Sequence, residues 1–333
     1  MQFSVEEADR DVNSRWMARE VTVTDQAIDP ELRPIIEAQR LRALARPALT
    51  AVTPPEMRVR AAAEFAPWNE APEPVAEVRD LVAGKIPARL YRPHDEGSSG
   101  LLVYLHGGGW VIGDLDLEDA ALRRLTQRSR VPILSIEYRL APEHPYPAAL
   151  EDAVAAFEWA AGSAEMLGID ARRIALGGAS AGANLALGAA LRLRDGGQVA
   201  ASFLLLMYGS YAGGAETESY RAFADGRFGL PRAAMDWFWR TYAGPDLLAA
   251  AVDAVPLKAN LVGLPPTFLN YAELDILRDD SVHLADRLRG AGVDVVAREY
   301  AGAVHGFTQY SKASALARRA LDDAGDALEA ALG

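Results

Sequence analysis

Apolar and polar positions change rhythm twice along the chain. Residues 1 to about 60 show no strand-like alternation; a helix-like segment from Asp29 to Leu44 is broken by Pro47, Pro54 and Pro55. This stretch reads as an N-terminal accessory segment. Pro67 to Pro74 is a turn region rich in Pro and Glu, and the alternating runs Val75 to Val82 and Ile86 to Tyr91 predict a β-hairpin.

From Leu101 the pattern becomes continuous apolar runs alternating with helical periodicity. Strands are expected at Leu101 to Leu105, Val131 to Tyr138, Ile174 to Gly177, Ala201 to Tyr208, Thr267 to Tyr271 and Val293 to Tyr300. Helices are expected at Leu117 to Ser129, Pro147 to Ala161, Ala181 to Arg194, Asp279 to Arg289 and Ser311 to Ala331. Runs without a polar face belong to strands covered on both sides, so the pattern predicts an α/β fold with a mostly parallel central sheet. Between Gly213 and about Val255 the alternation pauses, which marks an insertion.

Composition narrows the function classes. Half of the 333 residues are hydrophobic, enough to bury a large core. A net charge of −12 argues against nucleic acid as a partner, because phosphate binding needs clustered cations. The absence of cysteine removes disulfides, thiolate catalysis and Cys-bound metal. Met1 to Arg10 lacks a basic start followed by an apolar run, and no stretch approaches the ~18 apolar residues of a membrane span. The expectation is a soluble, cytoplasmic protein that does not span a membrane.

Gly178-Ala179-Ser180-Ala181-Gly182 fits G-x-S-x-G between a strand and a helix. A Gly- and Ser-rich helix start would match the same letters, but the strand-turn-helix context favours Ser180 as a nucleophile. Small flanking residues permit the sharp turn, and the helix N-terminus offers unpaired N–H groups to developing negative charge. His106-Gly107-Gly108-Gly109-Trp110 follows the Leu101 to Leu105 strand. No Lys-Ser/Thr and no G-x-G-x-x-G accompanies it, so it does not read as a phosphate loop. It reads as an oxyanion loop, with Gly107 and Gly108 N–H and Ala181 N–H as donors and His106 as a brace.

Of the five histidines, His94, His106, His144, His283 and His305, only His305 directly follows a late strand. Asp275 follows the strand begun at Thr267, while Asp279 and Asp280 read as caps of the next helix. The order Ser180, Asp275, His305 gives nucleophile, acid and base. Protonation would stop His305 acting as base, so activity should fall on acidification. Trp110, Tyr211 and Phe307 are candidate pocket walls.

These pieces, with Tyr138-Arg139-Leu140-Ala141-Pro142-Glu143-His144-Pro145-Tyr146-Pro147-Ala148-Ala149 and His305-Gly306-Phe307, resemble the hormone-sensitive-lipase-like esterases of the α/β-hydrolase superfamily. The resemblance spans roughly residues 75 to 310. It implies metal- and cofactor-free hydrolysis of small esters with short or medium acyl chains. It also implies a helical cap from residues 1–60 and an insertion near 210–255 of a core running over 61–333, and a homodimer as a frequent family state. Three departures stand out: Ala179 in place of Asp, Ala183 in place of Gly, and Ile276 in place of Pro. In the Tyr138 to Ala149 segment, Arg139 and Glu143 are expected to pair beneath the site. An amide or lactone hydrolase on the same residues, or a binding protein on the same fold, are the competing readings.

Overall fold

The computed structural model describes residues 25–47, 51–95, 99–197, 199–214, 216–244 and 251–333. Residues 1–24 and 48–50 of the expected cap segment, and 215 and 245–250 of the expected insertion, lie outside the described residues.

Among the described residues, the first two α-helices are α1 (Arg33–Leu44) and α2 (Pro54–Asn69). Of the three prolines expected to break helix here, Pro47 lies past the end of α1, whereas Pro54 and Pro55 start the next helix. Pro54 and Pro55 occupy the first turn of α2, where no backbone N–H is needed, and the Glu56 carboxylate accepts from the Thr53 N–H and hydroxyl. Helix α2 runs through residue 60, where the sequence suggested a division, and takes in Pro67 near its end.

A hairpin follows, β1 (Glu77–Ala83) and β2 (Ile86–Arg92), then β3 (Leu101–Leu105), α3 (Asp119–Ser129), β4 (Ile133–Ile136), α4 (Ala148–Gly162), a short α5 (Ala164–Leu167), β5 (Ile174–Ala179) and α6 (Ala181–Asp195). The second half holds β6 (Leu204–Met207), α7 (Glu218–Ala222), α8 (Arg232–Tyr242), β7 (Thr267–Leu274), α9 (Arg278–Gly290), β8 (Val295–Val304) and α10 (Ala315–Leu332). The eight strands lie in the order β1-β2-β4-β3-β5-β6-β7-β8. The hairpin runs antiparallel at one edge, and β4, β3, β5, β6, β7 and β8 are parallel.

Strands β3, β4, β5 and β6 are buried at every position, as a sheet covered on both faces requires. Each fully buried Leu, Ile or Val there contributes ~1.5–3 kcal/mol. Helix α6 is small-residue rich and buried along nearly its whole length, which lets it lie close to the sheet. Gly188 in α6 is in such tight contact that a Cβ would fall 2.5 Å from the Asp253 carbonyl oxygen.

Strand ends set the site. His106 follows Leu105 of β3, Ser180 follows Ala179 of β5, Asp275 follows Leu274 of β7, and His305 follows Val304 of β8. Four parallel strands thus deliver four polar side chains to one sheet edge, the edge where parallel α/β sheets bind ligands.

Candidate active site

Ser180 occupies a backbone conformation that side chains rarely adopt, φ +52° and ψ −118°. Such a conformation costs ~1–3 kcal/mol and persists because the surroundings enforce it. The Ser180 N–H donates to the Met207 carbonyl at 2.8 Å. On either side, a Cβ on Gly178 would lie 2.5 Å from the Leu105 carbonyl oxygen, and one on Gly182 only 1.9 Å from the same atom. No side chain fits at either position, so the spacing of the two glycines follows from the turn. Ala181 opens α6, leaving its N–H without an intrahelical acceptor.

The Ser180 hydroxyl lies 2.9 Å from His305 Nε2, and His305 Nδ1 lies 2.7 Å from Asp275 Oδ2. Asp275 is 2 % exposed, and its second oxygen accepts the Leu277 N–H at 2.9 Å. That bond fixes the carboxylate rotamer and so the ring facing it. The Tyr208 ring stands edge-on to His305 at 5.4 Å. The structure therefore brings Ser180, His305 and Asp275 into one hydrogen-bonded line.

The glycine loop differs from expectation by one residue. The Gly107 N–H donates to Glu118 Oε1 at 3.2 Å, so it is not free for a substrate oxygen. The amides of Gly108, Gly109 and Ala181 have no hydrogen-bond partner among the described residues. Gly108 and Gly109 both have positive φ, +120° and +59°. A Cβ on Gly109 would fall 2.4 Å from the Phe238 ring. His106 sits behind the loop with Nδ1 2.7 Å from the Gly107 carbonyl oxygen and its ring stacked on Tyr138. Tyr138 in turn donates to the His106 carbonyl at 2.9 Å. Burial pushes His106 down to about 4, which keeps it neutral.

A cavity of 340 Å³ opens above Ser180. Ile36, Phe65, Ile112, Leu230, Met235 and Phe238 supply apolar walls, and Gln39, Arg40, Arg46 and Glu64 are polar residues on its lining. Helix α1 is tied to the base segment by Gln39 Nε2 donating to the Tyr310 hydroxyl at 2.7 Å. Helix α2 is tied to the oxyanion loop by Arg58 Nε donating to the Val111 carbonyl at 2.8 Å.

Three expected pocket walls fare differently. Trp110 borders the cavity while packing on Trp239 and Tyr242. Tyr211 does not border it: its backbone N–H is held by Asp280, and its ring is fully buried, folded back on Gly209. Phe307 is likewise fully buried, between Tyr208 and Tyr300. Asp279 and Asp280 do more than start α9. Asp279 accepts the Ser219 N–H at 2.8 Å, and Asp280 accepts those of Tyr211 and Ala212 at 2.7 and 2.8 Å. They anchor the inserted segment to the helix after Asp275. Burial pushes Asp280 up to about 7. Arg139 pairs with Asp152 rather than Glu143, and Glu143 pairs with Arg58 of α2.

Sequence reasoning passed over Glu118 and Phe238 as site residues. Glu118 carried no signal beyond a charge in the first turn of an expected helix. Phe238 lies in the aromatic run Trp237-Phe238-Trp239, and only packing shows that it, rather than its neighbours, borders the cavity. Among the described residues, no group of three or more His, Asp or Glu is placed to hold a metal ion, and no helix is long and apolar enough to cross a membrane.

The fold and the site together define a hydrolase. A family model described as the alpha/beta hydrolase fold matches residues 102–309. The chain belongs to that family and, within it, to the hormone-sensitive-lipase-like esterases that the motifs resemble. It is 38% identical over 302 residues to the carboxylic ester hydrolase LipN of Mycobacterium tuberculosis, covering 87% of this chain and 79% of the relative. An acetyl esterase of Salmonella paratyphi A is 35% identical, over 72% of this chain and 75% of its own. The hyperthermophilic esterase of the archaeon Pyrobaculum calidifontis superposes with a TM-score of 0.84 at 33% identity, covering 91% of this chain and 98% of its own.

Proposed function

We propose that the protein is a serine carboxylesterase acting on small esters with short to medium acyl chains, with Ser180 as nucleophile, His305 as base and Asp275 as its orienting acid. The observation that carries this reading is the line Ser180–His305–Asp275 on the floor of a largely apolar cavity, with three unpaired amides beside it.

In this reading Ser180 Oγ attacks the ester carbonyl carbon as its proton passes to His305 Nε2. The carbonyl oxygen becomes an oxyanion held by the N–H groups of Gly108, Gly109 and Ala181. Donors fixed in place before charge develops are worth several kcal/mol. Asp275 holds the imidazole in the tautomer that accepts at Nε2 and stabilises it once charged. His305 then returns the proton to the leaving alkoxide, leaving an acyl-serine. Water, deprotonated by His305, attacks this acyl group; the bond to Ser180 Oγ breaks, His305 returns the proton to Oγ, and the acid is released. No step calls on a metal or cofactor.

The cap in this reading consists of α1, α2 and the segment containing α7 and α8, because these supply the apolar walls. A cavity of 340 Å³ suits a short acyl chain with its alcohol group. The test is hydrolysis of p-nitrophenyl esters from acetate to laurate by the wild type and Ser180→Ala. Turnover of the short members that disappears in Ser180→Ala supports the reading. Failure of the wild type on every ester, or full activity in Ser180→Ala, would overturn it.

A further inference from the structure

Glu118 is a buried carboxylate at the active site that the steps above leave without a task. It stands at the start of α3, 3 % exposed, and borders the cavity together with Ser180 and Gly108. Three donors from three parts of the chain converge on it. The Tyr104 hydroxyl of β3 donates to Oε2 at 2.6 Å. The Gly107 N–H donates to Oε1 at 3.2 Å, and Gln309 Nε2 donates to the same oxygen at 3.3 Å. Gln309 is four residues beyond His305, on the turn that carries the base.

A buried carboxylate is costly to keep, and burial pushes this one up. A structural need for three donors would be met as well away from the site. Here the carboxylate lies directly behind the oxyanion loop. A Cβ on Gly107 would be 3.2 Å from Glu118 Oε1 and 3.6 Å from Ser180 Cβ, so Gly107 is wedged between them. By taking the Gly107 amide, Glu118 fixes that peptide plane, and the next two amides are the ones left for a substrate oxygen.

We propose that Glu118 is a positioning residue: it clamps the oxyanion loop, through Gly107, to the segment bearing His305, through Gln309, and so sets the distance between oxyanion donors and base. The proposal rests on the esterase reading. Glutamine is a poor replacement. Its single acceptor oxygen serves only part of this set, and its amide group would face another donor. Preorganised donors lose much of their effect when displaced by a fraction of an ångström, and the loss falls on the transition state rather than on substrate binding.

The experiment compares wild type, Glu118→Gln and Gln309→Leu, each full length, with active sites titrated by a fluorophosphonate. Turnover of p-nitrophenyl butyrate and inhibition by a trifluoromethyl ketone are then measured. The ketone adds Ser180 Oγ to its carbonyl carbon and places an oxyanion in the loop. Expected are a kcat per titrated site ~10–100-fold lower in Glu118→Gln and several-fold lower in Gln309→Leu, KM within about twofold, and ketone affinity reduced in step with kcat/KM. A residue that merely supports the fold would lower the titrated fraction and leave kcat per site alone. Unchanged kcat per site in both variants overturns the proposal. If Glu118→Gln does not fold, Gln309→Leu decides in the same way. A wild type that hydrolyses no ester at all would instead sink the esterase reading on which the proposal stands.

Discussion

Gly182 touches Leu105 backbone to backbone: a Cβ on the glycine would lie 1.9 Å from the leucine carbonyl oxygen. The turn that presents the nucleophile therefore packs directly against the strand that leads into the oxyanion loop. Gly182→Ala must push β3 and α6 apart. The expected result is a loss of ~3 kcal/mol or more in urea unfolding, together with a large fall in activity per folded molecule. A Gly182→Ala protein of wild-type stability would show that the contact relaxes freely.

Asp275 acts on His305 through a bond of 2.7 Å, while its other oxygen is fixed by Leu277. Asp275→Asn keeps the shape and removes the charge, so the imidazole is held in the wrong tautomer. A drop of roughly 10³–10⁴ in kcat with KM little changed is expected. Steady-state kinetics on p-nitrophenyl butyrate checks this, and a fall of less than tenfold would remove Asp275 from the role given to it.

Phe238 presses on Gly109 and walls the cavity. Phe238→Ala should lengthen the space available to the acyl chain. Each further methylene accommodated is worth ~0.8 kcal/mol, or roughly fourfold in kcat/KM. The chain-length optimum should move towards longer esters; a profile identical to wild type would mean that Phe238 does not bound the acyl site.

His106 makes stability depend on pH. Its folded pKa is about 4, whereas an unfolded chain binds the proton near ~6.5. The stabilisation is complete above the unfolded value and is lost as pH falls through about 4, ~3 kcal/mol in all. Asp280, raised to about 7, runs the opposite way: its contribution is present below ~3.9 and is lost as pH rises through about 7. The comparison of wild type with His106→Phe isolates the histidine. Between pH 7.5 and 4.5, wild type should lose stability relative to the variant in urea unfolding. Parallel curves would contradict a buried, neutral His106.

Strand-borne residues were legible in the sequence because continuous apolar runs locate the strands and each such residue lies within a few positions of an expected strand end, although the strands themselves run on to the residue just before it. Ser180, Asp275 and His305 converge for that reason. What lay hidden depends on contacts between distant segments. Gly107 and Gly109 are interchangeable letters until Glu118, eleven positions beyond Gly107, takes the first amide. Asp279 and Asp280 satisfy the local rule for a helix start, yet their oxygens reach the inserted segment, 60 and 69 residues earlier. Tyr211 and Phe307 carry the right chemistry for a pocket wall, but their rings turn into the core. Pro54 and Pro55 read as breakers when judged singly and as a helix start once Thr53 and Glu56 are considered together.

The central claim is that Ser180 carries the acyl group during ester hydrolysis. The most direct measurement is intact and peptide mass spectrometry after treatment with a fluorophosphonate, alongside loss of p-nitrophenyl butyrate turnover. The account requires one adduct per chain, located on Ser180, with activity lost in proportion to labelling and no labelling in Ser180→Ala. An adduct on another residue, or turnover that persists in fully labelled protein, would contradict it.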